Sequence, residues 1–279
     1  MRELTLPKLF GVQDKVVVIT GGGRGIGKMM ADGFVQNGAT VYIASRNLKA
    51  CEATAEELNA KGPGQCFPVR TYCVITLLAL RLLTIVWPLT AASEPDESYG
   101  SMGAYAARVS VGATAWQKVL SVNVTSPFHL TRYLLPLLDV AATSSDAARV
   151  INMGSSAGLA PHSFETIAYD TSKAAVHHMT RVLAAKLARR PNGGHILVNA
   201  IAPGIVPSRM SQGITVVTGR GMDDVATDIP IERCGQASDM AGLAIFLASR
   251  ASGWITGMVI ASDGGQVYAV PSNVGAPKL

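Results

Sequence analysis

Tyr169-Asp170-Thr171-Ser172-Lys173 places a phenol and an ammonium at i, i+4, on one face of a helix and one turn apart. A tyrosine ordinarily titrates near pH 10, so it is a poor proton donor–acceptor couple at neutral pH unless its phenolate is favoured. A neighbouring ammonium favours it. Lowering the phenol by about three units takes roughly 4 kcal/mol of differential stabilisation, within reach of a partly buried pair assisted by a second, bound cation. Fourteen residues upstream, Ser155 follows Asn152-Met153-Gly154. A hydroxyl there can donate to a carbonyl oxygen at the carboxyl edge of a sheet, where open α/β folds bind ligands. Together these groups suit proton transfer at a polarised carbonyl. Tyr-x-x-x-Lys alone is common by chance, as is a serine at a strand end. Their order along the chain is what makes them specific.

Such groups need a scaffold, and the hydrophobic pattern supplies one. Residues 15–20 (KVVVIT) read as a buried strand, 25–37 as a helix stopped by Gly38, and 40–44 as a second strand. Asn47 is a helix cap for a segment running to about 61, and 65–69 is a third strand. The second half predicts a helix over 115–138, bent or trimmed by Pro127 and Pro136, and a strand at 149–153. A long helix follows over 169–190, a strand at 196–200, a helix over 237–249 and a last strand at 258–261. Strands alternating with helices on short loops predict an α/β protein with a parallel sheet. With no repeat or composition break, residues 1–279 read as one domain.

Between the first strand and its helix lies Thr20-Gly21-Gly22-Gly23-Arg24-Gly25-Ile26-Gly27. Glycines at such a turn let backbone N–H groups approach a pyrophosphate at the positive end of a helix. The other reading is a tight turn with no ligand; the strand before and helix after favour binding. The second strand ends Ala44-Ser45-Arg46, without the acidic residue that would hold adenosine ribose hydroxyls. Arg46, helped by Arg24, can pair with a 2′-phosphate, which predicts a preference for NADPH; alternatively Arg46 is a solvated loop residue.

Composition narrows the remaining classes. The chain is 48% hydrophobic and 15% charged, with a net charge of +5, which excludes a disordered or acidic-tail protein. The positive charge is dispersed, the densest patch being Arg189-Arg190, so nucleic acid is not an expected partner. Cys51, Cys66, Cys73 and Cys234 form no CxxC, so no metal site or disulfide framework is expected. The N-terminus carries no apolar signal segment, and a reducing, cytoplasmic compartment is expected.

Taken together, these motifs resemble the classical short-chain dehydrogenase/reductase family over about residues 12–70 and 115–268. Within it the chain is similar to 3-oxoacyl-[acyl-carrier-protein] reductases of the rhamnolipid-precursor type. TGGGRGIG at 20–27 looks like the family's cofactor loop. Ser155, Tyr169 and Lys173 match its catalytic triad, and Asn123 in Ser121-Val122-Asn123-Val124 matches the fourth member of the fuller tetrad. Asn199 through Gly204 looks like its Pro-Gly turn beside the nicotinamide. Pro203, Gly204, Val206 and Ser208 then become cofactor contacts, Ser208 standing where the family often has a threonine.

The resemblance implies a single doubly wound Rossmann-type sheet, often a homotetramer or dimer, and NADPH-linked reduction of a ketone to a secondary alcohol. The substrate would be a 3-oxoacyl thioester or a related small or carrier-bound carbonyl. Tyr169 would donate the proton, Lys173 lower its pKa and hold the ribose, Ser155 polarise the carbonyl, and Asn123 hold a relay water. Residues 204–228, rich in Gly, Ser and Thr, would form a substrate lid. His177 and His178 read as helix packing or surface, since neither has a carboxylate spaced to orient it.

One segment departs from that pattern. Residues 71–110 give no clean strand-plus-helix signal and lack the family's Asn-Ala-Gly strand end, and no Asp follows the third strand. Residues 73–91 are an apolar run interrupted by Thr76, Arg81, Thr84, Pro88 and Thr90. The central Arg81 costs about 3 kcal/mol on an insertion scale, so a buried helix and strand are expected here rather than membrane association. Two alternatives to an active reductase therefore stand: a Rossmann-type binding protein impaired in cofactor binding and catalysis, or a faulty gene model across 71–110.

Overall fold

The computed structural model describes residues 4–70, 83–87, 113–162 and 166–269. A short helix, α1 (Leu6–Phe10), precedes β1 (Val16–Thr20), α2 (Gly25–Gln36), β2 (Thr40–Ser45), α3 (Leu48–Asn59) and β3 (Gln65–Arg70). Next come β4 (Leu83–Trp87), α4 (Ala113–Leu120), α5 (Ser126–Ala141), β5 (Ala148–Met153), α6 (Ile167–Leu187) and β6 (Ile196–Pro203). Two short helices, α7 (Gln212–Thr218) and α8 (Met222–Ala226), lead to α9 (Ala237–Ala248) and β7 (Val259–Ser262). The strands form one sheet, ordered β3-β2-β1-β4-β5-β6-β7, in which every neighbouring pair is parallel. This is the doubly wound sheet expected. Its order reverses between β1 and β4, the kind of switch point at which open α/β sheets bind ligands, at the carboxyl ends of the strands.

The strand sequences explain the layering. Every residue of β1, β5 and β6 is buried, as continuous apolar strands covered on both faces must be. Alternation divides them between two cores. Val17, Ile19 and Ile151 pack with Met30 and Phe34 of α2 and Met240 of α9 on one face. Val16, Val18 and Val150 pack with Leu134 and Leu138 of α5 and Leu187 of α6 on the other. Helices α2 and α9 cross closely at Gly33, where a Cβ would stand 2.5 Å from that of Ala241. Asn47 caps α3, its side chain accepting from Ala50 N at 3.1 Å, as its type and place predict.

One expectation changes. The helix predicted over 115–138 is α4 and α5 joined by a π-helical turn, Ser121–Thr125. Pro127 lies in the first turn of α5, directly after the π-helical turn, and Pro136 lies inside that helix. The lid expected at 204–228 contains α7 and α8.

In the segment without a clean pattern, residues 83–87 supply the central strand. β4 pairs with β1 (Val16↔Leu83) and with β5 (Trp87↔Asn152). The remainder of 71–110, with Cys73 and the place where an Asn-Ala-Gly end would fall, lies outside the described residues, as do parts of the apolar run 73–91. Among the described residues no helix is long and apolar enough to cross a membrane.

At the opposite, amino edge of the sheet lies a buried charge cluster. Lys15 Nζ meets Asp146 Oδ2 at 2.9 Å, and Arg149 Nη1 meets Asp146 Oδ1 at 2.7 Å. Arg149 Nη2 donates to Ser249 O at 2.8 Å, so the cluster ties β1, β5 and the end of α9 together.

Candidate active site

The glycine turn leaves β1 at Thr20, whose buried hydroxyl has no hydrogen-bond partner among the described residues. Gly21 (φ 68°) and Gly25 (φ 54°) take the left-handed conformation that side chains resist. A Cβ at Gly22 would lie 2.5 Å from Ile43 Cγ2, so β2 closes against the turn. Helix α2 starts at Gly25 without a side-chain cap. Its first-turn N–H groups are thus available to an anion. Among the described residues only Ser208 Cβ, at 3.8 Å, approaches the position of a Cβ on Gly25, so the chain after β6 passes beside the loop, 183 residues from it in sequence.

The other predicted cofactor contacts lie at and beyond the carboxyl ends of β2 and β6. Ser45 ends β2; its hydroxyl donates to Asn47 O at 2.9 Å and accepts from the buried Cys51 thiol at 3.3 Å. Arg46 follows it, exposed. Pro203 ends β6, and a Cβ on Gly204 would meet Gln266 Oε1 at 2.3 Å, so this turn tolerates only glycine without displacing the segment after β7. Val206 is buried. Ser208 N donates to Ser211 Oγ at 2.7 Å, which fixes the start of the 208–211 turn.

Ser155 follows β5 in extended conformation (φ −165°) and begins a 3-10 turn, Ser156–Gly158. Its Oγ accepts from Ala157 N at 3.2 Å and faces the Tyr169 phenol, whose pKa it lowers. Lys173 is 1% exposed, with Nζ 5.4 Å from the Tyr169 ring centroid, and donates to Met153 O at 2.9 Å. The structure thus brings Ser155, Tyr169 and Lys173 together beside the β5 end.

Their electrostatics differ from the expectation. Enclosure by protein pushes the Tyr169 phenol up to about 12, the Ser155 hydroxyl offsetting this in part and Asp170 adding to it. Burial lowers the Lys173 ammonium to about 8. The lysine does not pull the phenol down in the chain alone, because desolvation acts on both groups and the ammonium lies over the ring and bonded to Met153 O.

Asn123 sits in the π-helical turn, 2% exposed. Its Nδ2 donates to Ser172 Oγ at 2.9 Å, and Ser172 Oγ donates to Tyr169 O at 2.6 Å. Asn123 therefore braces the turn of α6 that carries the tyrosine and lysine. Its Oδ1 is buried with no partner among the described residues. The sequence could place this asparagine but not the π-helical turn, a feature frequent at functional sites.

Two groups escaped the sequence reading. Thr166 Oγ1 donates to Asp170 Oδ1 at 2.7 Å, and His162 Nε2 lies 3.3 Å from the same oxygen, a polar trio beside Tyr169. His177 is buried, as packing would require, but both ring nitrogens are hydrogen-bonded to the Ser155–Gly158 turn. The available signal was spacing: Tyr169, Lys173 and His177 recur every four residues. His178 is exposed.

Comparison with known proteins places this geometry among relatives. Residues 15–72 match a family model described as short chain dehydrogenase, and residues 99–266 one described as enoyl-(acyl carrier protein) reductase. The chain is 39% identical over 256 residues to the rhamnolipids biosynthesis 3-oxoacyl-[acyl-carrier-protein] reductase of Pseudomonas aeruginosa, covering 92% of this chain and 97% of that protein. It is 30% identical to the galactitol 2-dehydrogenase (L-tagatose-forming) of Cereibacter sphaeroides, over 92% of this chain and 96% of that one. Among solved structures, the Pseudomonas aeruginosa RhlG/NADP active-site complex superposes with a TM-score of 0.76 at 35% identity, covering 92% of this chain and 98% of the other.

Proposed function

The chain belongs to the short-chain dehydrogenase/reductase family, and on that premise we propose that it reduces a ketone to a secondary alcohol with NADPH, the ketone being a 3-oxoacyl thioester or a similar carbonyl. The observation that carries this reading is the Tyr169 phenol facing the Ser155 hydroxyl, its ring 5.4 Å from the buried Lys173 ammonium, at the carboxyl edge of the sheet. Substrate class follows the Pseudomonas relative's name; the dehydrogenase of a sugar alcohol at 30% identity marks how far the same fold extends.

The residues present fit a dinucleotide. The uncapped start of α2, the positive-φ glycines at 21 and 25 and the Thr20 hydroxyl, without a partner among the described residues, form a cradle for a pyrophosphate. Thr20, Gly21, Arg24, Gly25, Ile26 and Gly27 would hold that group, Ser45 and Arg46 the 2′-phosphate, and Pro203, Gly204, Val206 and Ser208 the nicotinamide end. NADPH, when bound, supplies the hydride.

The chain's own groups supply the rest. Ser155 Oγ orients the carbonyl oxygen and Tyr169 Oη delivers the proton to it. Lys173, cationic below about pH 8, favours the phenolate left behind and holds a ribose. Asn123 braces the Tyr169 turn through Ser172, and its buried Oδ1, without a partner among the described residues, is suited to a relay water. Phe128 and Tyr133 of α5 and Val182 of α6 are exposed apolar side chains that a second copy would cover in a homo-oligomer.

Two measurements test the proposal. Purified chain should be stabilised against heat by NADPH and should consume it at 340 nm with acetoacetyl-CoA. No thermal shift with NADPH or NADH on folded protein would assign the chain instead to the cofactor-impaired reading, with 71–110 as the fault. Arg46→Ala should weaken NADPH binding by on the order of 10- to 100-fold, the loss of charge-assisted hydrogen bonds of about 1.5–3 kcal/mol, and leave NADH binding unchanged. Fluorescence titration with both cofactors decides it; equal affinities in the parent protein, unaltered by the substitution, reject Arg46 as the phosphate reader.

A further inference from the structure

His177 lies one turn beyond Lys173 on α6, with 2% of its surface exposed. Its Nε2 is 3.3 Å from Ser155 N, and its Nδ1 is 3.1 Å from Gly158 O. Both partners have fixed polarity. An amide N–H only donates, so Nε2 is the unprotonated acceptor. A carbonyl oxygen only accepts, so Nδ1 carries the hydrogen. The geometry therefore selects one neutral tautomer.

The ring also fits a slot that the sequence has cleared for it. A Cβ at Gly154 would stand 2.1 Å from His177 Nε2, and one at Gly158 would stand 2.8 Å from Cε1 and 2.7 Å from Ala174 N. The two glycines bracket Ser155 in the chain. The turn between them closes on itself, Gly158 N donating to Ser155 O at 3.0 Å. The imidazole thus grips both ends of the turn, its first N–H and its last C=O. The hydroxyl on that turn is the one that faces the Tyr169 phenol.

We propose that His177 is a positioning residue: as a neutral Nδ1–H imidazole it holds both ends of the 155–158 turn and so fixes the Ser155 hydroxyl against the Tyr169 phenol. The proposal rests on the reading of Ser155 and Tyr169 as the carbonyl-facing pair, but its hydrogen bonds exist without cofactor. A ring of the same size without nitrogens would fill the slot and leave the turn ungripped. Misplacing a reacting group by even 1 Å is enough to slow an oriented reaction by about 100-fold.

The test uses the full chain as His177→Phe and His177→Gln. Phenylalanine keeps the volume; glutamine can place its Oε1 near the Nε2 position and accept from Ser155 N–H. Deuterium exchange of peptides spanning 154–158, without cofactor, should be about tenfold faster in His177→Phe, through loss of hydrogen bonds that hold the turn, and should return towards the parent rate in His177→Gln. With NADPH and acetoacetyl-CoA, kcat should fall by about 10- to 100-fold in His177→Phe at unchanged KM for NADPH, and glutamine should restore most of it.

Equal exchange in parent and His177→Phe, or full kcat in the latter, overturns the proposal, as does a glutamine variant no better than phenylalanine. If the parent itself turns over no acetoacetyl-CoA, the reductase reading fails on that substrate while the exchange arm still decides the role of His177. If the phenylalanine variant does not fold, the nitrogen-15 imidazole spectrum of the parent protein decides: Nε2 unprotonated at neutral pH supports the proposal, and Nε2 protonated rejects it.

Discussion

Tyr169→Phe is expected to lower kcat for acetoacetyl-CoA reduction by about a thousandfold, the middle of the range for removing a positioned proton donor. The substitution takes away one oxygen. The ring stays over Lys173, whose Nζ lies 5.4 Å from its centroid, and the Lys173 bond to Met153 O does not involve the phenol. Fold and cofactor cradle should therefore persist, and stabilisation by NADPH should match that of the parent within a degree or so on a thermal scan. Ser155 no longer faces a phenol hydroxyl but keeps the hydrogen bond from Ala157 N. Initial rates with saturating NADPH read the effect. Full turnover in Tyr169→Phe would falsify the assignment of the proton donor, and a variant that loses NADPH binding along with turnover would make Tyr169 a cofactor contact first.

Asp146→Ala carries the largest expected effect on stability, about 3–5 kcal/mol, because it leaves two cations buried without their partner. Lys15, Asp146 and Arg149 are 4%, 7% and 2% exposed, so solvent does little to screen them. The carboxyl is subject to an upward push from burial, but Lys15 and Arg149 together outweigh it and hold Asp146 below the usual carboxylate range. Burial drives Lys15 in the direction that sheds its proton, with Asp146 opposing. On loss of Asp146 the lysine can neutralise itself, whereas the guanidinium of Arg149 cannot. Urea denaturation at pH 7 should show the midpoint fall without a change in slope.

The sign of the pH dependence follows from the same carboxyl. Its folded pKa lies below its unfolded value of about 3.9. The stabilisation is complete above that unfolded value and is lost as pH falls through the folded one. The parent should lose it there; Asp146→Ala should lack that step. A loss below 1 kcal/mol at pH 7 would show that Lys15 and Arg149 reach solvent or other partners once the carboxyl is gone.

The amino edge of the sheet was invisible to sequence reading. Lys15 and Asp146 are 131 residues apart and look like ordinary surface charges in a chain of net charge +5. Burial of charge is a property of what packs around it, and no local pattern records that. The same holds for Ser208 beside Gly25 and for Gly204 against Gln266, contacts made across the sheet's carboxyl edge. It also holds for β4. In the sequence, 83–87 is indistinguishable from the apolar residues flanking it, and periodicity cannot separate a short buried strand from a buried helix. Its hydrogen bonds to β1 on one side and β5 on the other make the distinction.

What the sequence determined by itself was local chemistry. Val16–Thr20 followed by glycines specifies a buried strand and a turn open to an anion, since β-branched runs fit a covered pleat and only glycine takes positive φ cheaply. Tyr169 and Lys173 share a helix face because 3.6 residues make a turn. Asn47 caps its helix because its side chain reaches Ala50 N.

What the tertiary structure alone decided was the state of those groups. It buried Lys173 and enclosed Tyr169, so that the pair stands at about 8 and about 12 instead of with a lowered phenol. It bent the Asn123 helix through a π-helical turn and set His177 behind Ser155. Spacing along a chain fixes which side chains face the same way, whereas desolvation and hydrogen-bond partners come from segments dozens of residues away, and those exist only once the sheet has closed.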